Sequence, residues 1–248
     1  MTSTSRTAYA AASVEWLLGS RPARVLVLGH TSAALIDEAV TAGHQVTLID
    51  KSTFRANRAR ERWGITAIAA RAEALPFRPQ RFDIALASQN LHKFAPGLAL
   101  PEVARVLKPG GHIAVSYTVR DDGVPWVRRM AAILREVDDT MMRGDYGDDS
   151  INDVLASPYF APADQRDFRS WVPIDRAGMV AMVASATKHL SEAERDRVAE
   201  DVGRLYDTSA RPPEPLLLPY RVACWRAVVD QSEMTGPLRF EDGVAIQL

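Results

Sequence analysis

Gly29 and Asp50 are the two residues whose types and spacing point most directly to chemistry. Gly29 ends the apolar run 25–28, and Asp50 ends a second apolar run, 46–49, at a point 21 residues further along the chain. A carboxylate at such a position accepts hydrogen bonds from the vicinal hydroxyls of a ribose. The helix that follows the glycine turn offers free N–H groups and its positive dipole end to an anion. The spacing therefore predicts a nucleotide-binding β-α-β unit.

Four loops that carry polar residues are predicted to meet in one crevice. They are the turn at 29–32, the loop that begins at Asp50, the loop at 72–73 and the loop at 88–92. Each loop follows a predicted strand, and ligands of parallel α/β sheets bind beyond the carboxyl ends of the strands. His92 is placed to act as a general base there, although its position also fits a packing or capping role.

The elements that must position these loops alternate along the chain. Apolar runs predict strands at 25–28, 46–49, 64–70, 81–88 and 112–117, with helices between most of them. Regular alternation with short links predicts a parallel sheet that is covered by helices on both faces. Beyond residue 119 the pattern changes, and it predicts helices at 125–137, 176–190 and 191–206 and strands at 168–173 and 216–229. A helix at 8–18 either packs on the sheet or covers the mouth of the crevice.

Composition narrows the class of protein. The chain has 248 residues, 47% hydrophobic residues and a net charge of −1, which is ordinary for a globular domain and argues against general nucleic-acid binding. The single cysteine, Cys224, excludes an intramolecular disulfide and a cysteine metal cluster, and its apolar surroundings predict a buried, inert thiol. The acidic segment 138–153 lacks the closing glutamate of a calcium site, so it is predicted to be a solvated, mobile loop without a metal. No apolar run reaches the ~18–20 residues of a membrane span, and no secretory leader is recognised, so we expect a cytoplasmic protein without membrane contact.

The motifs resemble those of the class I S-adenosylmethionine-dependent methyltransferases, specifically the type 11 group. Residues 25–33 fill the places of the family pattern Val-Leu-Asp-Leu-Gly-Cys-Gly-Thr-Gly, of which only the first glycine is retained. The later family motifs are matched by Asp50, by 72–77, by Phe82-Asp83, by Asn90-Leu-His92 and by 102–114, and the last of these is the most family-like. The resemblance covers about residues 20–229.

This resemblance implies a Rossmann-like α/β fold. The expected sheet has seven mostly parallel strands and an antiparallel last strand, with helices on both faces. Residues 1–230 are expected to form a single methyltransferase-like domain, followed by a C-terminal tail at 231–248. Within that domain we expect a core at 20–119, a lid or insertion at about 120–165, and closing strands and helices at 166–229.

The resemblance also implies a cofactor, S-adenosylmethionine, and the residues that hold it. Residues 29–33 correspond to the methionyl end, Asp50 to the ribose, Ala72 and Glu73 to the adenine, and His92 to the acceptor. The implied cofactor-binding residues are Gly29, His30, Thr31, Ser32, Ala33, Asp50, Lys51, Ala72, Glu73 and Ser88, and the implied catalytic residue is His92.

The predicted function is methyl transfer to a small, partly apolar acceptor. Seven residues either wall the acceptor pocket or form the core of a lid: Trp126, Met130, Met141, Met142, Tyr146, Tyr159 and Phe160. A dehydrogenase is disfavoured because the turn lacks the dinucleotide glycine spacing.

The alternative is a non-catalytic relative that acts as a binding or regulatory protein, as a monomer or a homodimer. Its motivation is the turn, where Thr31 and Ala33 replace family glycines. A β-branched residue is unfavourable at positive φ, and each misfit would cost about 1–2 kcal/mol if the family conformation were forced.

Overall fold

The computed structural model describes residues 11–121, 123–139, 141, 148–211, 213–235, 238–239 and 245–246. The helices are α1 (Ala11–Leu18), α2 (Ala33–Thr41), α3 (Thr53–Trp63), α4 (Pro96–Val106), α5 (Pro125–Arg135), α6 (Asp148–Leu155), α7 (Arg176–Ala186), α8 (Glu192–Ser209) and α9 (Ser232–Thr235). The strands are β1 (Arg24–Leu28), β2 (Gln45–Asp50), β3 (Thr66–Ala69), β4 (Phe82–Ser88), β5 (Leu107–Arg120), β6 (Asp164–Ile174), β7 (Leu216–Val228), β8 (Leu238–Arg239) and β9 (Ala245–Ile246). Within these residues, no helix has both the length and the apolar character needed to cross a membrane.

Seven strands form one sheet in the order β3-β2-β1-β4-β5-β7-β6. The pairs β1–β2, β1–β4, β2–β3 and β4–β5 are parallel. The predicted Rossmann-like fold, with its antiparallel last strand, is confirmed. Because the chain runs from β1 outward to β3 and then returns to β4 on the other side of β1, strand order reverses between β1 and β4, where such folds bind ligands.

The central strands are buried on both faces. Val25–Leu28 of β1 are all buried, and so are Ile84–Ser88 of β4. Strands that are covered by helices on both sides read as continuous apolar runs, which is why sequence periodicity located them well.

The chain divides into two compact units. The sheet unit comprises the described residues of 9–117, 146–167 and 223–248, and the helical unit comprises those of 118–145 and 168–222. The core of the sheet unit centres on Leu26, Leu28, Ile113 and Tyr117. The core of the helical unit joins α5, α7 and α8 through Trp126, Val127, Met130, Leu134, Met179, Val183, Val198, Val202 and Leu205.

Strand β5 begins earlier than the sequence predicts. Lys108-Pro-Gly-Gly111 is typical of a helix stop and turn, yet the strand already starts at Leu107. Phe82 pairs with Leu107 and Ile84 pairs with His112, so β5 bulges against β4 between the two pairs. A Cβ on Gly111 would lie 2.8 Å from the Asp83 carbonyl oxygen, so the bulge requires glycine there.

Three further local predictions can be compared with the structure. Helix α6 begins at Asp148, inside the acidic segment that was predicted to be a loop. The predicted burial of Cys224 is confirmed, and burial together with the charge of Asp167 raises the pKa of its thiol to about 12, which disfavours the reactive thiolate. Helix α1 has a packing role, because Leu17 is fully buried and its carbonyl oxygen lies 2.8 Å from His112 Nε2.

Candidate functional site

The predicted site loops lie at one edge of the sheet unit. They follow β1, β2, β3 and β4, which are mutually parallel, so their carboxyl ends meet at the same edge. The loops contact one another through side chains that donate to or accept from neighbouring backbone groups. The site is therefore assembled from hydrogen bonds between loops as well as from strand order.

Gly29 makes the turn after β1. Its φ is +68°, and a Cβ at this position would lie 2.9 Å from Asn90 Nδ2 and 3.4 Å from Phe94 Cζ. Glycine is required here for both the backbone conformation and the close approach. The Gly29 N–H donates to the Ile49 carbonyl at 2.8 Å, which ties the turn to β2.

Asn90 fixes the outer side of the same turn. Its side chain is 3% exposed, and Nδ2 donates to the carbonyls of Leu28 at 2.6 Å and His30 at 2.9 Å. The loop after β4 thereby holds the loop after β1. Sequence reasoning included Asn90 in a motif but gave it no role, although an amide directly beyond a buried strand was the available signal.

The strain expected if the family conformation were forced on Thr31 and Ala33 does not arise. Among the described residues, only Gln80 and Gln89 are non-glycine residues with positive φ, so Thr31 and Ala33 take ordinary backbone conformations. Ser32 occupies the N-cap of α2 with φ −61° and ψ 134°, and its side chain makes no capping bond. The first turn of α2 carries no acidic residue. Its free N–H groups are therefore bonded neither by the Ser32 hydroxyl nor by a carboxylate of that turn.

Two buried polar atoms at this turn have no partner within the described part of the chain. They are Thr31 Oγ1 and Asn90 Oδ1. An unsatisfied buried polar atom costs about 1–3 kcal/mol, so such atoms are expected to be satisfied by a ligand. A hydroxyl can donate to a carboxylate, and an amide oxygen can accept from an ammonium group. The amino-acid end of a ligand carries a carboxylate and an ammonium group.

Asp50 lies at the end of β2, where it is 3% exposed. One carboxylate oxygen accepts from the Ser52 N–H at 2.7 Å and from Arg55 Nη2 at 2.8 Å, and the other accepts from Arg55 Nε at 2.8 Å. Burial alone would raise the pKa of Asp50, but the bonds from Arg55 and Ser52 and the charges of Arg55 and His30 outweigh it and lower the pKa. The carboxylate is thus ionised at neutral pH and well supplied with donors.

Arg55 was not singled out from the sequence, because it lies in a run of arginines on α3 that is typical of a solvated face. Its side chain is 45% exposed, yet it forms a two-pronged ion pair with the buried Asp50. A carboxylate has about four lone-pair positions, and three of these are filled, so a vicinal diol finds room for one bond. Ribose binding therefore requires Arg55 to release at least one of its bonds.

The segment after β3 is anchored from α4. Glu102 accepts from the Leu75 N–H at 2.8 Å, and Arg105 donates to the carbonyls of Phe77 at 2.8 Å and Leu75 at 3.1 Å. Glu102 and Arg105 also pair with each other at 2.6 Å. The most family-like stretch of the sequence thus positions the loop that the resemblance assigns to the adenine.

The two residues that the resemblance assigns to the adenine are buried or bonded within the protein. Ala72 is buried, and Glu73 accepts from the Ala95 N–H at 3.1 Å, which braces the start of α4. Burial opposes ionisation of Glu73, but bonds from backbone N–H groups and from Arg71 lower its pKa. Ser88 is fully buried and its hydroxyl lies 3.0 Å from that of Ser116.

His92 lies on the short 3-10 helix Leu91–Lys93 and is exposed. Its Nδ1 is 3.3 Å from the Tyr117 hydroxyl, which also accepts from the His92 backbone N–H at 3.4 Å. Burial and the charge of Lys93 lower the pKa of His92, so the imidazole is neutral at pH 7. In the tautomer that donates from Nδ1 to Tyr117, Nε2 carries a lone pair for proton abstraction.

Lys51, the remaining residue predicted to bind the cofactor beside Asp50, is exposed.

The residues expected at an acceptor pocket have packing roles wherever they are described. Trp126 and Met130 belong to the core of the helical unit, and Met141 packs against it. Phe160 belongs to the core of the sheet unit, and Tyr159 packs against that core. Met142 and Tyr146 lie outside the described residues.

Comparisons with known proteins agree with this geometry. A family model described as a methyltransferase domain matches residues 26–115, which include every loop discussed above. An uncharacterised methyltransferase of Mycobacterium tuberculosis is 28% identical over 231 residues, covering 90% of this chain and 90% of its own.

Two solved structures share the fold. A protein described as a type II methyltransferase from Anaeromyxobacter dehalogenans superposes with a TM-score of 0.63 at 20% identity and covers 89% of this chain and 96% of its own. A protein described as a methyltransferase from an antibiotic biosynthesis pathway of Anabaena variabilis has a TM-score of 0.58 at 14% identity and covers 86% of this chain and 95% of its own.

Proposed function

We propose that this chain, whose residues 26–115 match a methyltransferase-domain family, is a type 11 S-adenosylmethionine-dependent enzyme that transfers a methyl group to a small, partly apolar acceptor. The observation that carries the proposal is the turn at Gly29. It is closed by Asn90 and presents a buried hydroxyl and a buried amide oxygen that lack partners among the described residues.

The residues of the turn fit the amino-acid end of the cofactor. When the cofactor is bound, Thr31 would donate to its carboxylate, Asn90 would accept from its ammonium group, and the uncapped first turn of α2 would add N–H groups and a positive dipole end. Asp50 holds the ribose once Arg55 gives up a bond, and Ala72 borders the adenine. This assignment satisfies both unpartnered atoms with one ligand.

S-adenosylmethionine supplies, when bound, a methyl group on a sulfonium centre that is already activated for transfer. The protein then has to bind, orient and exclude water, and a base is needed only where the acceptor carries a proton. His92 is that base, since its neutral imidazole is exposed and oriented by Tyr117. Phe94, two residues further along, is only partly buried, and the apolar surface that it leaves near His92 is what favours a partly apolar acceptor.

The test is a titration with S-adenosylhomocysteine. At about 100 times its dissociation constant, the ligand should raise the free energy of unfolding by ~2.7 kcal/mol. Asp50→Asn should weaken binding at least tenfold, since it removes the negative charge and one of the two acceptor oxygens, whereas Glu38→Ala on the exposed face of α2 should not change it. Absence of binding by the folded wild-type chain would refute cofactor use.

Binding alone does not separate an enzyme from a non-catalytic relative. Methyl-labelled S-adenosylmethionine should therefore be incubated with candidate acceptors, and transfer compared between the wild type and His92→Gln. The proposal predicts transfer that His92→Gln reduces, while cofactor binding stays unchanged. Cofactor binding without transfer to any acceptor would favour the regulatory alternative.

A further inference from the structure

The helical unit contains a cavity that the methyl-transfer site does not use. It has a volume of about 90 Å³ and is lined by Arg120, Met130, Leu134, Met141, Met182, Val183 and Ala186. Six of these seven residues are apolar, and three are methionines. Methionine side chains are flexible and polarisable, so such walls adapt to apolar ligands of different shapes.

Arg120 is the one charged residue among the described residues that line the cavity. It ends β5 and is partly buried. Its Nε is buried and has no hydrogen-bond partner within the described part of the chain. The adjacent carboxylate does not satisfy it, because Asp121 pairs with Arg169 at 3.4 Å. A buried guanidinium N–H without an acceptor is costly, and an anion that accepts from Nε would relieve that cost.

We propose that this cavity binds a small amphipathic carboxylate, with its anionic head on Arg120 and its alkyl chain between α5 and α7. The volume supports a short chain. A water molecule occupies about 30 Å³ in the liquid, so the cavity has the volume of roughly three waters. An alkyl chain of about three or four carbon atoms fills a similar volume. The planar fork of arginine matches the two oxygens of a carboxylate. This site is independent of the proposed methyl transfer.

The test uses pentanoate as the probe and pentan-1-ol as its neutral counterpart. The protein is labelled with methyl-¹³C methionine, and the methyl signals of Met130, Met141 and Met182 are followed during each titration. Met179 is fully buried in the same core and is not among the cavity residues, so its signal serves as an internal control. Pentanoate should shift the three cavity signals with saturation and leave Met179 unchanged, and pentan-1-ol should bind at least tenfold more weakly.

Two variants test the charge of Arg120 and the space in the cavity separately, and a third serves as a control. Arg120→Met removes the charge and leaves an apolar side chain in the cavity wall. It should lower the affinity for pentanoate about tenfold or more without changing the affinity for pentan-1-ol. Arg129→Met makes the same change at an exposed position on α5 and should have no effect. Ala186→Leu, at an exposed position on the cavity wall, should weaken both probes.

Three results would overturn the inference. They are the absence of saturable methyl shifts with pentanoate in the folded wild type, equal affinity for pentanoate and pentan-1-ol, and pentanoate affinity that survives Arg120→Met. The variants are checked for folding by the unchanged signal of Met179, so a loss of binding is not confused with a loss of structure.

Discussion

Removing Arg55 should tighten binding of S-adenosylhomocysteine, although the substitution deletes a well-formed ion pair. The guanidinium fills two lone-pair positions of Asp50 and the Ser52 N–H fills a third, so a ribose diol needs at least one position that Arg55 holds. A hydrogen bond to a charged group contributes about 1.5–3 kcal/mol. Because the Arg55 side chain is 45% exposed and regains water when it leaves, the net cost falls to about 1–2 kcal/mol. Arg55→Ala should therefore tighten binding by about 5- to 30-fold.

The assay is calorimetric titration of the wild type, Arg55→Ala and a matched control. Arg58→Ala removes another arginine of α3 that is exposed and lies over the Phe54 ring at 5.8 Å rather than on the carboxylate, and it should leave the affinity unchanged. A tenfold or greater loss of affinity in Arg55→Ala would refute the reasoning, since it would mean that Arg55 binds the ligand instead of competing with it.

The same pair has a pH signature in the absence of ligand. The pKa of Asp50 is lowered in the folded chain, so the stability that its carboxylate contributes is complete above the unfolded value of about 3.9 and is lost as pH falls through the lower folded value. In Asp50→Asn, the free energy of unfolding measured with urea should therefore depend less on pH in that acid range than it does in the wild type. An unchanged acid limb in Asp50→Asn would show that the pair does not stabilise the fold.

Three further predictions concern the other parts of the site. Asn90→Ala should weaken S-adenosylhomocysteine more than Thr31→Val does in a calorimetric titration, because Asn90 also braces the Gly29 turn through two carbonyls; equal effects would show that its brace is dispensable. The pKa of His92 is lowered, so kcat/KM for an acceptor that must lose a proton should rise with pH through a midpoint below 6.5 and stay flat above it, and Tyr117→Phe should lower kcat without changing cofactor affinity. Glu102→Gln should increase amide hydrogen exchange in 72–77 relative to the wild type, since Glu102 holds the Leu75 N–H; unchanged exchange would mean that Arg105 suffices.

The fold was predictable because its signal is repeated along the chain. The buried stretches Val25–Leu28 of β1 and Ile84–Ala87 of β4 are uninterrupted apolar runs, and Thr47 is the one polar residue within 46–49 of β2. Each strand is followed by a turn or polar loop. The start of β5 was missed because Lys108-Pro-Gly-Gly111 carries the residues of a turn, and only pairing with β4 shows that they form a bulge. Pairing is a tertiary property, so local propensity cannot report it.

The site was predictable at its strand ends and not in its side-chain contacts. The positions of Gly29 and Asp50 follow from the lengths of the apolar runs. The bond from Arg55 to Asp50 does not, because α3 carries several arginines that look alike in sequence and only one of them faces back to β2. Sequence distance alone cannot select among side chains on successive turns of a helix.

The turn shows how a family glycine can be replaced without strain. The sequence predicts strain at Thr31 and Ala33 only if the family conformation is forced on them, and in the turn only Gly29 takes a positive φ. The turn is held from outside by Asn90, so its shape depends on two hydrogen bonds to carbonyls rather than on further glycines. The replacement of a glycine by Thr31 also adds a buried hydroxyl that has no partner among the described residues. Loss of glycines therefore does not by itself imply loss of the binding site, because a turn braced in this way gains a donor where the family pattern has only backbone.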